Sequence, residues 1–224
     1  MRSERCIPAA GRRSLTGPYD PAMALTMRER RFRRALVEQT LAADPSVIVD
    51  LGCGTGTLAV QLARATPDAR VIGLDGDPDA LCRAGDKARA ARVEIELLEG
   101  SATAIPLADQ SVGCVICSLL LRHLSPEAKP RALEGTYRVL RPGGLLLIAD
   151  WGRAHDPLMR AAFLAVQLLD GFQTTRMHAL RELPGLIERS GFSVARIARL
   201  RTLWGTLDLL AATAAERDQR RHAA

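Results

Sequence analysis

At 224 residues, with 47% hydrophobic and 25% charged residues, the chain is long enough for one domain with a sizeable core and too apolar for a disordered segment. The net charge of +6 is uneven: residues 1–40 carry nine arginines against four acids and residues 196–224 six against three, while the middle holds sixteen bases against eighteen acids. This excludes a continuous basic face on the central body, the usual grip on nucleic acid, and the terminal excess reads as solvated helix faces and tails. Five scattered cysteines (Cys6, Cys53, Cys82, Cys114, Cys117) argue against a disulfide framework. Arg12-Arg13 is not followed by an apolar run, so it is no twin-arginine signal, and a cytoplasmic location is expected.

Residues 1–17 lack an apolar period and are expected to form a disordered tail. Met23, Met27, Phe32, Leu36, Val37 and Leu41 follow at helical spacing, which predicts an amphipathic helix with an arginine-rich outer face. Strands are predicted at VIVDL (47–51), RVIGLD (70–75), VEIELLE (93–99), SVGCVICSLL (111–120) and LLLIAD (145–150). Helices are predicted between them: Thr57 to Ala65, one capped by Asp77-Pro78 and reaching Ala91, and one opened by Ser125-Pro126. Pro142-Gly143-Gly144 reads as the turn into the fifth strand. Strand–helix alternation with short connections predicts a doubly wound, mostly parallel α/β sheet. Within the fourth strand, Cys114 and Cys117 point to opposite faces, which predicts buried structural thiols and not a redox or metal pair. Beyond residue 150, PLMRAAFLAVQLLDGF (157–172) is an apolar helix too short to span a membrane, a second helix lies near 178–190, and two strands close the chain at 193–200 and after about residue 202.

The chemistry is concentrated in VIVDLGCGTGTLAVQLA (47–63). A buried strand ends at Asp50, and Gly52, Gly54 and Gly56 lead into a helix start with unpaired N–H groups. The spacing is not the G-x-G-x-x-G of a dinucleotide loop, because Thr57 stands in place of its third glycine, and no Gly-Lys-Ser/Thr follows as in a P-loop. Asp75, about 20 residues on at the end of the second strand, with Gly76 after it, is placed to accept both hydroxyls of a ribose.

The D-x-G-x-G-x-G form resembles the first motif of class I S-adenosylmethionine (SAM)-dependent methyltransferases. GSATAIPLADQSVGCVICSLLLRHL (100–124) and Glu134…Tyr137-Arg138-Val139-Leu140-Arg141-Pro142-Gly143-Gly144 resemble further stretches of the small-molecule group related to ubiquinone and menaquinone biosynthesis. The resemblance covers roughly residues 19–210. It implies a Rossmann-like seven-stranded sheet of order 3-2-1-4-5-7-6 with the last strand antiparallel, within a domain spanning 18–213. A lid helix (18–41) and a helical cover (152–190) would belong to that domain, and 214–224 would fray. It implies SAM as cofactor, held by Asp50, Gly52, Gly54, Gly56, Asp75, Gly76, Ser101, Ala102, Cys117 and Ser118. The sequence departs from the family at Ser101, where Asp is usual before Ala102, and at Gly113, where Asp is usual near the fourth strand. The first change exchanges an ionic adenine contact for a neutral hydrogen bond.

Substrate-side candidates follow the fourth and fifth strands: Arg122, His123, Asp150 and Trp151, with Tyr19 from the N-terminal segment. His123 is the candidate general base, since imidazole titrates near neutrality, or else a capping residue before Ser125-Pro126. Asp150 either orients substrate or satisfies backbone N–H groups. If helix 157–172 lines the pocket, Met159, Phe163, Val166 and Leu169 imply an apolar acceptor. A small-molecule substrate is expected, with no metal, no membrane span and either a monomer or a homodimer. The competing classes are an NAD(P)-binding oxidoreductase, a nucleic-acid methyltransferase and a SAM-binding protein without catalysis. Against the first, Tyr137 is followed four residues later by Arg141 and not by lysine; against the second, Ser118-Leu119-Leu120-Leu121 offers no ring to stack a flipped base.

Overall fold

The computed structural model describes residues 29–152, 182–202 and 206–214. Seven strands form one sheet of order β3-β2-β1-β4-β5-β7-β6. They are β1 (Val47–Leu51), β2 (Arg70–Asp75), β3 (Glu96–Glu99), β4 (Val112–Ser118), β5 (Leu140–Gly152), β6 (Phe192–Arg201) and β7 (Thr206–Ala214). β1 to β5 pair in parallel, and β7 runs antiparallel between β5 and β6, so the expected topology holds. The helices are α1 (Glu29–Ala43), α2 (Thr57–Ala65), α3 (Pro78–Ala91), α4 (Ala128–Val139) and α5 (Glu182–Arg189). The expected tail 1–17, residues 215–224, Tyr19 and helix 157–172 lie outside the described residues, as does most of the expected helical cover; Ala214, expected to fray, ends β7.

The period-two alternation of the buried strands divides the core into two layers. Val49, Leu51, Ile72, Val115, Cys117 and Ile148 meet α4 and α5 through residues such as Leu133 and Ile187. Ile48, Val71, Cys114, Ile116 and Leu147 meet α1 and α2 through Phe32, Leu36, Leu58 and Leu62. Cys114 and Cys117 thus lie in different layers, both free and buried. Burial pushes the Cys114 thiol up to about 12 and Cys117 well above its ordinary value, as the inert structural reading requires.

Local chemistry accounts for most boundaries. Asp77 caps α3, its Oδ1 accepting the N–H groups of Asp79 (2.9 Å) and Ala80 (3.4 Å), with Pro78 at the first helical position. Four details differ from the sequence expectations. α1 buries Thr40, whose hydroxyl donates to the Leu36 carbonyl (2.9 Å), and leaves Leu41 46% exposed. β3 begins only at Glu96, and α4 only at Ala128. Pro142-Gly143-Gly144 forms no turn ahead of β5 but an irregularity inside it, where the pairing with β4 steps from Val112↔Leu140 to Cys114↔Leu145.

Gly113 and Arg138, both in the later motifs, have structural roles. A Cβ on Gly113 would stand 2.9 Å from Pro45 Cβ, which leaves no room for the family's aspartate. Arg138 reaches across to the loop before β4, donating from Nη1 to Leu107 O (2.8 Å) and Asp109 Oδ1 (2.6 Å) and from Nη2 to Ile105 O (2.7 Å). It therefore fixes a loop that carries no helix of its own. Arg138→Met is expected to lower unfolding stability by roughly 1–3 kcal/mol, because the ion pair is partly solvated but two part-buried carbonyls lose their donor; urea unfolding measures it. Gly56 starts α2 at φ 72°, and a Cβ there would lie 2.6 Å from Ala84 Cβ. Gly56→Ala combines left-handed strain with overpacking and is expected to cost about 2–5 kcal/mol in the same experiment.

Candidate functional site

Parallel pairing brings the carboxyl ends of β1, β2 and β4 to one edge, and a cleft of about 460 Å³ opens there. Asp50, Gly52, Gly54, Asp75, Ser118, Arg122 and His123 line it, so seven of the candidate residues converge. Gly56, Gly76, Ser101, Ala102, Cys117, Asp150 and Trp151 are not among its walls.

The glycine loop is pinned from two sides. Asp75 Oδ2 accepts the Gly54 N–H (2.7 Å), and Oδ1 accepts the Asp77 N–H (3.0 Å). Lys87 Nζ, from α3, donates to the hydroxyls of Thr55 (2.9 Å) and Thr57 (2.6 Å). Gly54 sits at φ 53° with nothing within 4 Å of where its Cβ would be. The loop is thus held rigid while its surface stays open to a ligand.

Asp50 is 1% exposed, and its Oδ2 has no hydrogen-bond partner. Burial raises its carboxyl to about 7, and the charge of Asp75 adds to this; the Arg33 guanidinium and the Ala59 amide oppose it. Arg33 and its partner Glu29, an ion pair on α1, also line the cleft. α1 was expected to present its arginines outward, and Arg30, Arg31 and Arg34 do so; Arg33 does not.

On the far wall the chain turns sharply after β4. Leu119 adopts φ 56°, an αL conformation costing a leucine about 1–2 kcal/mol, and its N–H donates to Ala149 O (2.8 Å). The turn lays Leu120 over Gly52 and sets Arg122 and His123 on the cleft. Arg122 Nε donates to His123 Nε2 (3.1 Å), and the Arg122 guanidinium lies 6.0 Å from the Trp151 ring centroid. Trp151 is 1% exposed and meets the cleft through Arg122. The Asp150 carboxylate accepts two backbone donors: Arg122 N–H to Oδ2 (3.2 Å) and Trp151 N–H to Oδ1 (2.8 Å). Ser101 is exposed, its Oγ 2.8 Å from the Thr103 hydroxyl. Among the described residues no group of three or more His, Cys, Asp or Glu could hold a metal, and no helix is long and apolar enough to cross a membrane.

Sequence reasoning did not single out Glu29, Arg33, Lys87 or the two threonines. Lys87 gives no local signal, since it meets the loop only through the α3–loop packing.

The residues fit an adenosine bearing a zwitterionic tail. A bare buried carboxylate oxygen suits an ammonium, an open glycine suits close approach of a nucleoside, and Asp75 keeps lone pairs for ribose hydroxyls.

Comparison with known proteins agrees. Residues 48–144 match the family model described as a methyltransferase domain. The chain is 35% identical over 163 residues to a demethylmenaquinone methyltransferase of Thermus thermophilus, covering 70% of this chain and 73% of that protein. It is 33% identical over 135 residues to a ubiquinone/menaquinone biosynthesis C-methyltransferase of Syntrophotalea carbinolica, covering 60% of this chain but only 56% of that one. The crystal structure of magnesium protoporphyrin IX methyltransferase from Synechocystis with bound SAH superposes with a TM-score of 0.70 at 18% identity, over 92% of this chain and 90% of that one.

The state of Asp50 has a thermodynamic signature. Its folded pKa lies above the unfolded value of 3.8, so the stability carried by its retained proton is complete below about pH 4 and is lost as pH rises through about 7. Thermal unfolding of the cofactor-free protein is expected to show this decline between about pH 4 and 7, and Asp50→Asn to flatten it. The domain match, the Thermus relative and the geometry together identify the family: this chain belongs to the class I SAM-dependent methyltransferases, in the quinone-biosynthesis-like group.

Proposed function

We propose that the protein transfers the SAM methyl group to a small, apolar acceptor of the quinol or phenol class. The observation that carries this reading is the cleft itself: an open glycine loop between two carboxylates, with Leu119 and Leu120 beside Arg122 and His123 on the acceptor-side wall. SAM supplies an already activated methyl group, so the protein's contribution is mainly alignment and exclusion of water.

In this reading Asp75 accepts the ribose hydroxyls while still holding Gly54, and the backbone of Gly52 and Gly54 borders the sulfur. Asp50 accepts the ammonium through its bare Oδ2 and gives up its proton when it does so. Ala102 and Ser101 contribute to the adenine end from the loop that Arg138 ties down, and the carbonyls near Cys117 and Ser118 border the tail. His123 removes the acceptor proton. Its Nε2 keeps a lone pair, used by Arg122 in the resting structure, and an acceptor hydroxyl would take the place of that N–H. Asp150 and Trp151 position Arg122 behind it. The names of the quinone-pathway relatives favour a quinol, and the free buried thiols fit a reducing cytoplasm.

A coupled assay for S-adenosylhomocysteine release against phenols, quinols, thiols and amines tests the proposal, with turnover expected for the first two. Asp75→Ala is expected to weaken SAM affinity tenfold or more, the scale of lost hydrogen bonds to a charged group. His123→Ala is expected to lower kcat by about 10²–10⁴-fold with SAM affinity unchanged. Nicotinamide-dinucleotide binding without SAM binding would overturn the reading.

A further inference from the structure

Arg33 and Glu29 stand apart from the other charges of α1. Their side chains are only 21% and 17% exposed, they pair with each other, and both line the cleft beside Asp50. Arg34, one residue on, is 81% exposed and pairs with Glu38 on the outer face. An ion pair on a solvated helix face contributes little, but this one is turned inward, against the buried carboxylate of β1.

The order of groups along the cleft assigns it a use. If the ribose lies at Asp75, the adenosine covers β2 and the tail of the cofactor extends over β1 toward β4. There the tail meets Asp50, whose bare oxygen suits an ammonium. A carboxylate beside that ammonium needs a cation on the same wall. Arg33 meets that requirement: it lines the cleft and its charge already acts on Asp50. In the absence of ligand its guanidinium is held by a carboxylate of the chain itself.

We propose that Arg33 is the carboxylate-recognising residue for the amino-acid tail of the cofactor, and that Glu29 stands in for that carboxylate when the cofactor is absent. Binding is then an exchange of one carboxylate for another on the same guanidinium, and Glu29 competes with cofactor and product alike. The inference rests on the SAM assignment above and adds two residues and a competition to it. A bidentate guanidinium–carboxylate contact is specific enough for discrimination, since arginine's planar fork matches the two oxygens.

Isothermal titration separates the possibilities, using SAM and decarboxylated SAM, which keeps the sulfonium and the ammonium but lacks the carboxylate. For the unmodified protein, SAM is expected to bind at least tenfold more tightly than decarboxylated SAM. Arg33→Met is expected to abolish that preference by weakening SAM at least tenfold while changing decarboxylated SAM less than about threefold. Glu29→Gln is expected to strengthen SAM about threefold or more, with a slower dissociation rate in stopped flow, and to leave decarboxylated SAM unchanged. Equal losses for both ligands in Arg33→Met would show a merely structural role and overturn the proposal, as would unchanged SAM affinity in that variant. Weaker SAM binding in Glu29→Gln would overturn the competition. Binding of neither ligand by the unmodified protein would instead bring down the cofactor assignment itself.

Discussion

The site depends on a constraint of parallel pairing: β1 lies between β2 and β4, and all three end at the same edge. Asp50 is in register with Gly73 on one side and Ile116 on the other, which leaves Asp75 and Ser118 at matching heights on the flanking strands. A helix cannot continue from such an edge without a turn, so each strand end carries a loop, and the loops share one space. The glycine loop, the Asp75 carboxylate and the turn after β4 are neighbours for this reason alone. The bond from Gly54 N–H to Asp75 then locks two of these ends together before any ligand arrives, so little ordering remains to oppose binding.

The interior of the fold was legible where short-range periodicity decides the outcome. The alternation in β4 was enough to send Cys114 and Cys117 into separate layers, and Asp77-Pro78 was enough to start α3. It was less legible where tertiary space decides. Thr40 replaces Leu41 in the core because its hydroxyl can return to the helix backbone and become tolerable there. Gly113 breaks the family pattern because Pro45 lies over it, a neighbour remote in sequence.

The same division runs through the site. That Asp50, Gly52, Gly54 and Asp75 meet in one cleft was legible because strand ends and glycine spacing announce it. Arg33 was not, because helical spacing puts it at the border between the buried and solvated faces, and only the position of β1 settles which side it serves. Asp150 shows the converse. Its place near the end of β5 made it a substrate candidate, yet one oxygen accepts the Arg122 N–H of the turn after β4 and the other the Trp151 N–H of its own strand, so it braces that turn from behind. Ser101 lies exposed beside Thr103, beyond the walls of the cleft.

β7 has a consequence for biosynthesis. It is inserted between β5 and β6, pairing with both along most of its length. Neither neighbour can close its edge until residue 214 has been translated, and meanwhile two strands present unpaired backbone. Leu147 and Ala149 lack the Leu207 and Leu209 side of their layer for the same interval. A released chain ending just before Thr206 would therefore keep β5 paired with β4 on one side only and leave β6 without a partner in the sheet, the exposed edges on which aggregation starts.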